Sequence, residues 1–212
     1  MIKLFLLLFM CAVTAVAPAK SMKDFWITMP DSVVPYLSMA MRAELAECQG
    51  RNMRAEVKNR LEGTTVLDTL TDDYLSVRLS ESSEMQIKRL RTDGDSVFCV
   101  IRTYQGPVAD SQMSLYTADW TPIDAKHLFD GKCIKCVRRM LVARPDAMSQ
   151  SQFDSLAQMV DPLLVKLTLS ADSDELIVTA DTQMLKNDDK KTVAPILMKI
   201  KYKWNGEVFK KI

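Results

Sequence analysis

Two residues separate Cys133 from Cys136 in "HLFDGKCIKCVRRML", residues 127–141, and Lys132, Lys135, Arg138 and Arg139 crowd around them. A cysteine reacts as its thiolate, and nearby positive charge favours that form. The pair suits thiol–disulfide exchange, metal binding or a local disulfide. Exchange enzymes of the thioredoxin type set the motif beside a βαβ pattern. Here no βαβ pattern surrounds it, no strand ends directly before it, and no aromatic adjoins Cys133. The expected reading is therefore a local disulfide or two quiet thiols, on or near a loop. A thiol–disulfide oxidoreductase using Cys133 and Cys136 is the alternative.

The same sulfurs are half of a metal set, and His127, the only histidine, is the third candidate ligand. Structural zinc takes four ligands, commonly from a second CxxC or paired histidines. Cys48 and Cys99 are isolated in the sequence. Copper would recruit methionines, and "MAM" at 39–41 offers Met39 and Met41. On a helix, residues i and i+2 do not share a face, and methionines more often fill core gaps. No metal and no cofactor is expected.

Hydrolytic chemistry finds little material. A Ser/His/Asp triad needs a histidine base, and only His127 could serve. There is no Gly-x-Ser-x-Gly elbow, and the six glycines are unclustered. The carboxylate pairs Asp72–Asp73 and Asp188–Asp189 fall in turn-like, solvated contexts. Catalytic residues are expected to be none. Trp26, Tyr36, Trp120 and Trp204, with Phe25, Tyr74, Tyr104, Tyr116 and Tyr202, are candidates for an aromatic binding surface. Aromatics of this kind anchor partners or pack as core and rim.

The N-terminus bears on the compartment. "MIKLFLLLFMCAVTAVAPAKS" places Lys3 before an apolar run from Leu4 to Val13, followed by small residues. That is the layout of a secretory signal peptide, and the run is shorter than a membrane span requires. Cleavage after Ala19 gives residues 1–19 as signal peptide and a mature chain from Lys20. The alternative is a lipoprotein anchored at Cys11, but Phe9 and Met10 are bulky for that signal. Losing Lys3 turns 28 basic against 27 acidic residues into 27 against 27. A neutral chain lacks the basic footprint of nucleic-acid binding and the polybasic patch of a membrane-surface binder. Four cysteines remain, Cys48, Cys99, Cys133 and Cys136, too few for a disulfide scaffold. The expected location is exported, periplasmic or associated with the outer membrane.

The elements that must position these residues follow from periodicity. "MPDSVVPYLSMAMRAELAEC", residues 29–48, reads as a helix capped at Asp31 or Ser32, with Leu37, Met41, Leu45 and Cys48 on one face and Arg42, Glu44 and Glu47 off it. From Thr64 to Trp120 the period falls to two, with turn signals such as "TDGD" between runs. The expectation is an antiparallel meander with one wet face and one face under the helix. "SVFCVI" is apolar nearly throughout, which places it centrally and buries Cys99. The second half echoes the first: a helix over 149–164, then "LVKLTLS", "ELIVTAD", "ILMKIKYKW" and "EVFKKI", with Asn205-Gly206 between the last two. "VRLSESSEMQI" at 77–87 is similar to "LTLSADSDELIV" at 167–178, which suggests two helix-plus-meander half-repeats, 24–124 and 145–212, joined by 125–144. The fold class is α+β, with residues 20–212 as one domain.

"FWITMPDSVVPYL", "LTDDYLSVRLSESSEMQIKRL", "GPVADSQMSLYTADW" and "KWNGEVF" span the chain in order. Together they resemble the secreted proteins of Bacteroidales called domain of unknown function 3256. The resemblance implies an exported α+β protein and carries over no catalytic residue; the CxxC is no part of it. The functional expectation is a non-catalytic exported binding or interaction protein. Its partner is an unknown protein or an apolar, lipid-like ligand held by the sheet or the helix–sheet cleft.

Overall fold

The computed structural model describes residues 20–212, so the expected signal peptide lies outside the described residues. The chain is α+β. Helix α1 (Met22–Ile27) and helix α2 (Met39–Gly50) precede seven strands: β1 (Glu56–Lys58), β2 (Thr64–Leu70), β3 (Tyr74–Ser80), β4 (Ser83–Arg91), β5 (Ser96–Gln105), β6 (Ala109–Tyr116) and β7 (Pro122–Ile123). Helices α3 (Ile134–Arg139) and α4 (Gln150–Met159) follow, then β8 (Val165–Leu169) and β9 (Glu175–Ala180). Helix α5 (Asn187–Val193) and a short 3-10 turn lead to β10 (Lys199–Trp204) and β11 (Phe209–Lys211). Strands β1 to β7 form one antiparallel meander, and β8 to β11 form a second in the order β11-β10-β9-β8.

Alternation decides which way each strand faces. Leu75, Val77, Met85, Ile87, Phe98 and Val100 point to one side of the first sheet and pack under α1 and α2 with Met22, Phe25, Trp26 and Leu45. Tyr74, Leu90, Cys99, Ile101 and Leu115 point to the other side and meet Leu167, Val178, Ile200 and Tyr202 of the second sheet. The first sheet therefore has no wet face where the second sheet covers it, contrary to expectation. The double apolarity of "SVFCVIRTY" is the cause: a strand apolar on both sides must be covered on both. Cys99 is fully buried there, as its sequence context indicates. The wet face belongs to the second sheet, where Lys199, Lys201 and Lys203 alternate with buried Ile200, Tyr202 and Trp204.

The helical expectation for 29–48 also changes. Helix α2 starts only at Met39, after Ser38 accepts the Met41 N–H at 3.4 Å. Pro30 and Pro35 keep the preceding segment in turns, although Val34 and Leu37 are fully buried. Arg42, expected off the apolar face, is 1% exposed. Its guanidinium donates to the carbonyls of Ile27, Met29 and Leu37 and to Asp31 Oδ1 at 3.1 Å. Those carbonyls have no helix to satisfy them, so one buried cation holds the whole turn. Helix α4, expected over 149–164, ends at Met159 and packs in a third cluster with Val193 and Ile196 rather than on a sheet face.

Both edges of the second sheet are closed. The outward N–H groups of β8 donate to side chains of the first sheet: Val165 to Asp110 at 3.2 Å, Leu167 to Ser111 at 3.0 Å and Leu169 to Gln86 at 2.9 Å. On β11, Phe209 N–H donates to the Leu128 carbonyl at 2.8 Å and Lys211 N–H to Asp130 at 3.1 Å. An open strand edge invites pairing with another chain, and here side chains and a loop occupy it.

Candidate functional site

Cys133 is the N-cap of α3, and Cys136 lies in its first turn. The expected loop is thus a loop that turns into a six-residue helix, too short to show a 3.6 period. The two Sγ atoms are 3.2 Å apart and both thiols are free; Cys133 is half-buried and Cys136 exposed. The Cys133 thiol is held below its ordinary value, first by the hydrogen bond with the Cys136 thiol, then by the backbone N–H groups of Cys136 and Lys135. His127 is engaged elsewhere, with Nδ1 3.0 Å from the Gly131 carbonyl. Among the described residues no three His, Cys, Asp or Glu side chains converge as a metal-ligand set. Met39 is 58% exposed while Met41 packs on the core, so the two do not share a ligand site.

The tryptophans do not form a binding surface. Trp26 is fully buried, Trp120 is 6% exposed and Trp204 is 7% exposed. Each indole N–H is spent internally: Trp26 on the Arg42 carbonyl at 3.0 Å, Trp120 on Phe25 at 2.9 Å and Trp204 on Arg91 at 2.6 Å. A buried indole finds an acceptor this way, and that marks these residues as core.

Tyr36 is different. It is half-buried and rims a groove of about 600 Å³ at one end of the first sheet, together with Asn59, Leu61, Glu62, Ser82 and Tyr104. Leu61 is 72% exposed and Tyr104 is 44% exposed. Four separate chain segments supply these side chains, and hydrogen bonds fix them to one another. Asn59 accepts the N–H groups of Leu61 at 3.0 Å and Gly63 at 3.2 Å, and donates to the Leu79 carbonyl at 3.2 Å. Arg60 N–H donates to the Tyr36 carbonyl at 2.9 Å, and Gln105 N–H to the Ser82 carbonyl at 2.7 Å. Gly63 lies so close that a Cβ there would come within 3.3 Å of the Asn59 amide. The turn therefore holds Leu61 outward rather than letting it fold back. Sequence reasoning passed over Leu61. The signal was an apolar residue inside "NRLEG", a turn sequence that no strand or helix period covers.

The family model described as protein of unknown function, DUF3256, matches residues 14–209 of the chain. No curated protein matches it. Among solved structures, a domain of an uncharacterized protein from Porphyromonas gingivalis W83 is 24% identical, with a TM-score of 0.73 over 90% of this chain and 98% of that one. At that identity the likeness is one of fold.

Proposed function

The chain belongs to the DUF3256 family of proteins of unknown function, and we propose that this member is a non-catalytic exported binding protein that docks a protein partner on Tyr36, Leu61 and Tyr104. One observation carries the reading: Leu61 stands 72% exposed on a turn that hydrogen bonds hold rigid. An apolar side chain fixed in water loses burial energy of roughly 1.5–3 kcal/mol, which contact with a partner would recover. The backbone of the turn is already ordered by these bonds, which favours association. Tyrosines are enriched at such surfaces, and polar groups such as Glu62, Glu81 and Ser82 suit the rim.

The carrier version of the reading has less support. Met22, Phe25, Trp26 and Leu45 fill the interface between helices and sheet at 0% exposure, and Ile101, Leu167 and Val178 fill the space between sheets in the same way. An apolar groove of about 510 Å³ does open at the edge between the sheets, beside Val97, Leu115, Ile123 and Trp204, but the middle of each interface is filled. No helix of the described residues is long and apolar enough to cross a membrane.

The test is site-specific photocrosslinking in cells that make the protein. Leu61, Tyr104 and, as a control on the far lysine face, Lys201 are each replaced by a photoreactive phenylalanine. One discrete adduct shared by positions 61 and 104 and absent at 201 is the expected result. Equal labelling at all three, or none at 61 and 104, removes the reading.

A further inference from the structure

The thiol pair takes no part in the docking surface, yet its two free sulfurs lie close together. Cys133 Sγ and Cys136 Sγ stand 3.2 Å apart, and Cys136 is exposed. A disulfide bond is about 2.05 Å long, so closure asks the sulfurs to approach by roughly 1 Å, within reach of side-chain rotation. The segment is anchored on both sides of the pair. Before it, Phe129 and Lys132 exchange backbone hydrogen bonds of 3.1 and 2.8 Å, and Asp130 ties this turn to Lys210 at 3.2 Å. After it, Val137 is fully buried, and Arg138 donates to the Ser111 carbonyl at 3.0 Å and pairs with Asp110 at 3.0 Å. Anchored ends keep the sulfurs at high effective concentration. Cys48 and Cys99 make no such pair and remain single thiols.

We propose that Cys133 and Cys136 are a reversible dithiol–disulfide site that closes by exchange with a disulfide of low molecular weight. The Cys133 thiolate attacks one sulfur of R–S–S–R. That S–S bond breaks, and the departing thiolate takes up the proton lost from Cys133. The Cys136 thiolate then attacks the Cys133 sulfur of the mixed disulfide and expels the second small thiolate, which takes the proton from Cys136. Two protein thiols are oxidised to one disulfide, and one small disulfide is reduced to two thiols. Attack starts at Cys133 because the Cys136 thiol and the neighbouring N–H groups hold negative charge on that sulfur. Cys136, exposed beside it, resolves the intermediate.

The test treats the folded, fully reduced chain with bis(2-hydroxyethyl) disulfide and follows it by intact mass and peptide mapping. The wild-type protein is expected to lose the mass of two hydrogens in the peptide holding both cysteines, and to regain it with dithiothreitol. Cys136→Ser should keep one hydroxyethylthio group on Cys133. Cys133→Ser should be modified at Cys136 several-fold more slowly. A wild-type protein that keeps adducts on both cysteines, or that leaves both as thiols under these conditions, overturns the site. Equal rates in the two single variants overturn the assignment of Cys133 as the attacking sulfur. Circular dichroism of each variant confirms that it is folded.

Discussion

Phe25 lies face to face with Phe98, ring centroids 3.7 Å apart and planes 6° from parallel. The other neighbour of Phe25 is Trp120, at 4.0 Å and 11°. Helix α1 is thereby keyed to the middle of the first sheet, and Trp120 is keyed to α1. Trp120 holds a positive φ of 61°, a conformation uncommon outside glycine. The stack and the indole hydrogen bond to Phe25 offset that strain. Phe25→Ala should cost about 3–5 kcal/mol, read as a lower urea midpoint, with loss of the near-ultraviolet dichroism of the stacked rings. Phe25→Leu keeps most of the volume and should cost less. A near-wild-type midpoint for Phe25→Ala would show that α1 is not fastened this way.

Ser111 closes the open edge of β8. It is 1% exposed, its hydroxyl lies 2.9 Å from that of Thr103, and it accepts the Leu167 N–H. Ser111→Ala leaves that buried N–H without its acceptor, at a cost of about 1–3 kcal/mol. Amide hydrogen exchange at Leu167 should speed up more than at Val178 in the next strand. Uniform acceleration of both would mean that the edge bond is not specifically weakened.

The strands were legible because their burial alternates. In β10, Lys199, Lys201 and Lys203 face water while Ile200, Tyr202 and Trp204 face the core, and Asn205-Gly206 turns the chain. The start of α2 was not legible, since Val34 and Leu37 are buried from turns and mimic a helical stripe. Arg42 reads as a surface cation in one dimension; the carbonyls that surround it come together only in three. Tryptophans offer the same lesson: their side chains suit a docking face or a core equally well, and only the acceptor of each indole N–H decides. The exposure of Leu61 was not legible either, because a turn that forces an apolar side chain outward depends on the Asn59 hydrogen bonds.

Lys88 joins the two sheets. Its side chain is 1% exposed, and Nζ donates to Asp73 Oδ2 and to the Ala171 carbonyl, each at 3.0 Å. Removing one partner of a buried pair strands the other charge. Asp73→Ala leaves the ammonium inside with one carbonyl, and screening through the 45% exposed carboxylate site trims the loss to about 2 kcal/mol. Lys88→Met keeps the packed stem and leaves Asp73 to water, so its cost should be smaller, about 1 kcal/mol. Urea unfolding of both variants gives the order; a larger loss for Lys88→Met would reverse the argument.

Cys99 makes stability fall at alkaline pH. Complete burial pushes its thiol from 9.0 up to about 12. The raised value belongs to the folded state, where the neutral thiol is enforced. Below the unfolded value both states keep the proton, and the group is neutral to stability changes. Above it the unfolded chain releases the proton while the folded chain retains it, so the unfolded state binds fewer protons and stability declines with pH. The slope approaches about 1.4 kcal/mol per pH unit between those two values. Burial also raises Tyr74 and Tyr202 in the same core, and both add to the decline in the same direction. Cys99→Ala removes the thiol contribution alone. The stability gap between wild type and Cys99→Ala should therefore shrink as pH rises from 9 toward 11 in urea titrations. A gap that stays constant across that range would mean that the Cys99 thiol titrates alike in the folded and unfolded chains.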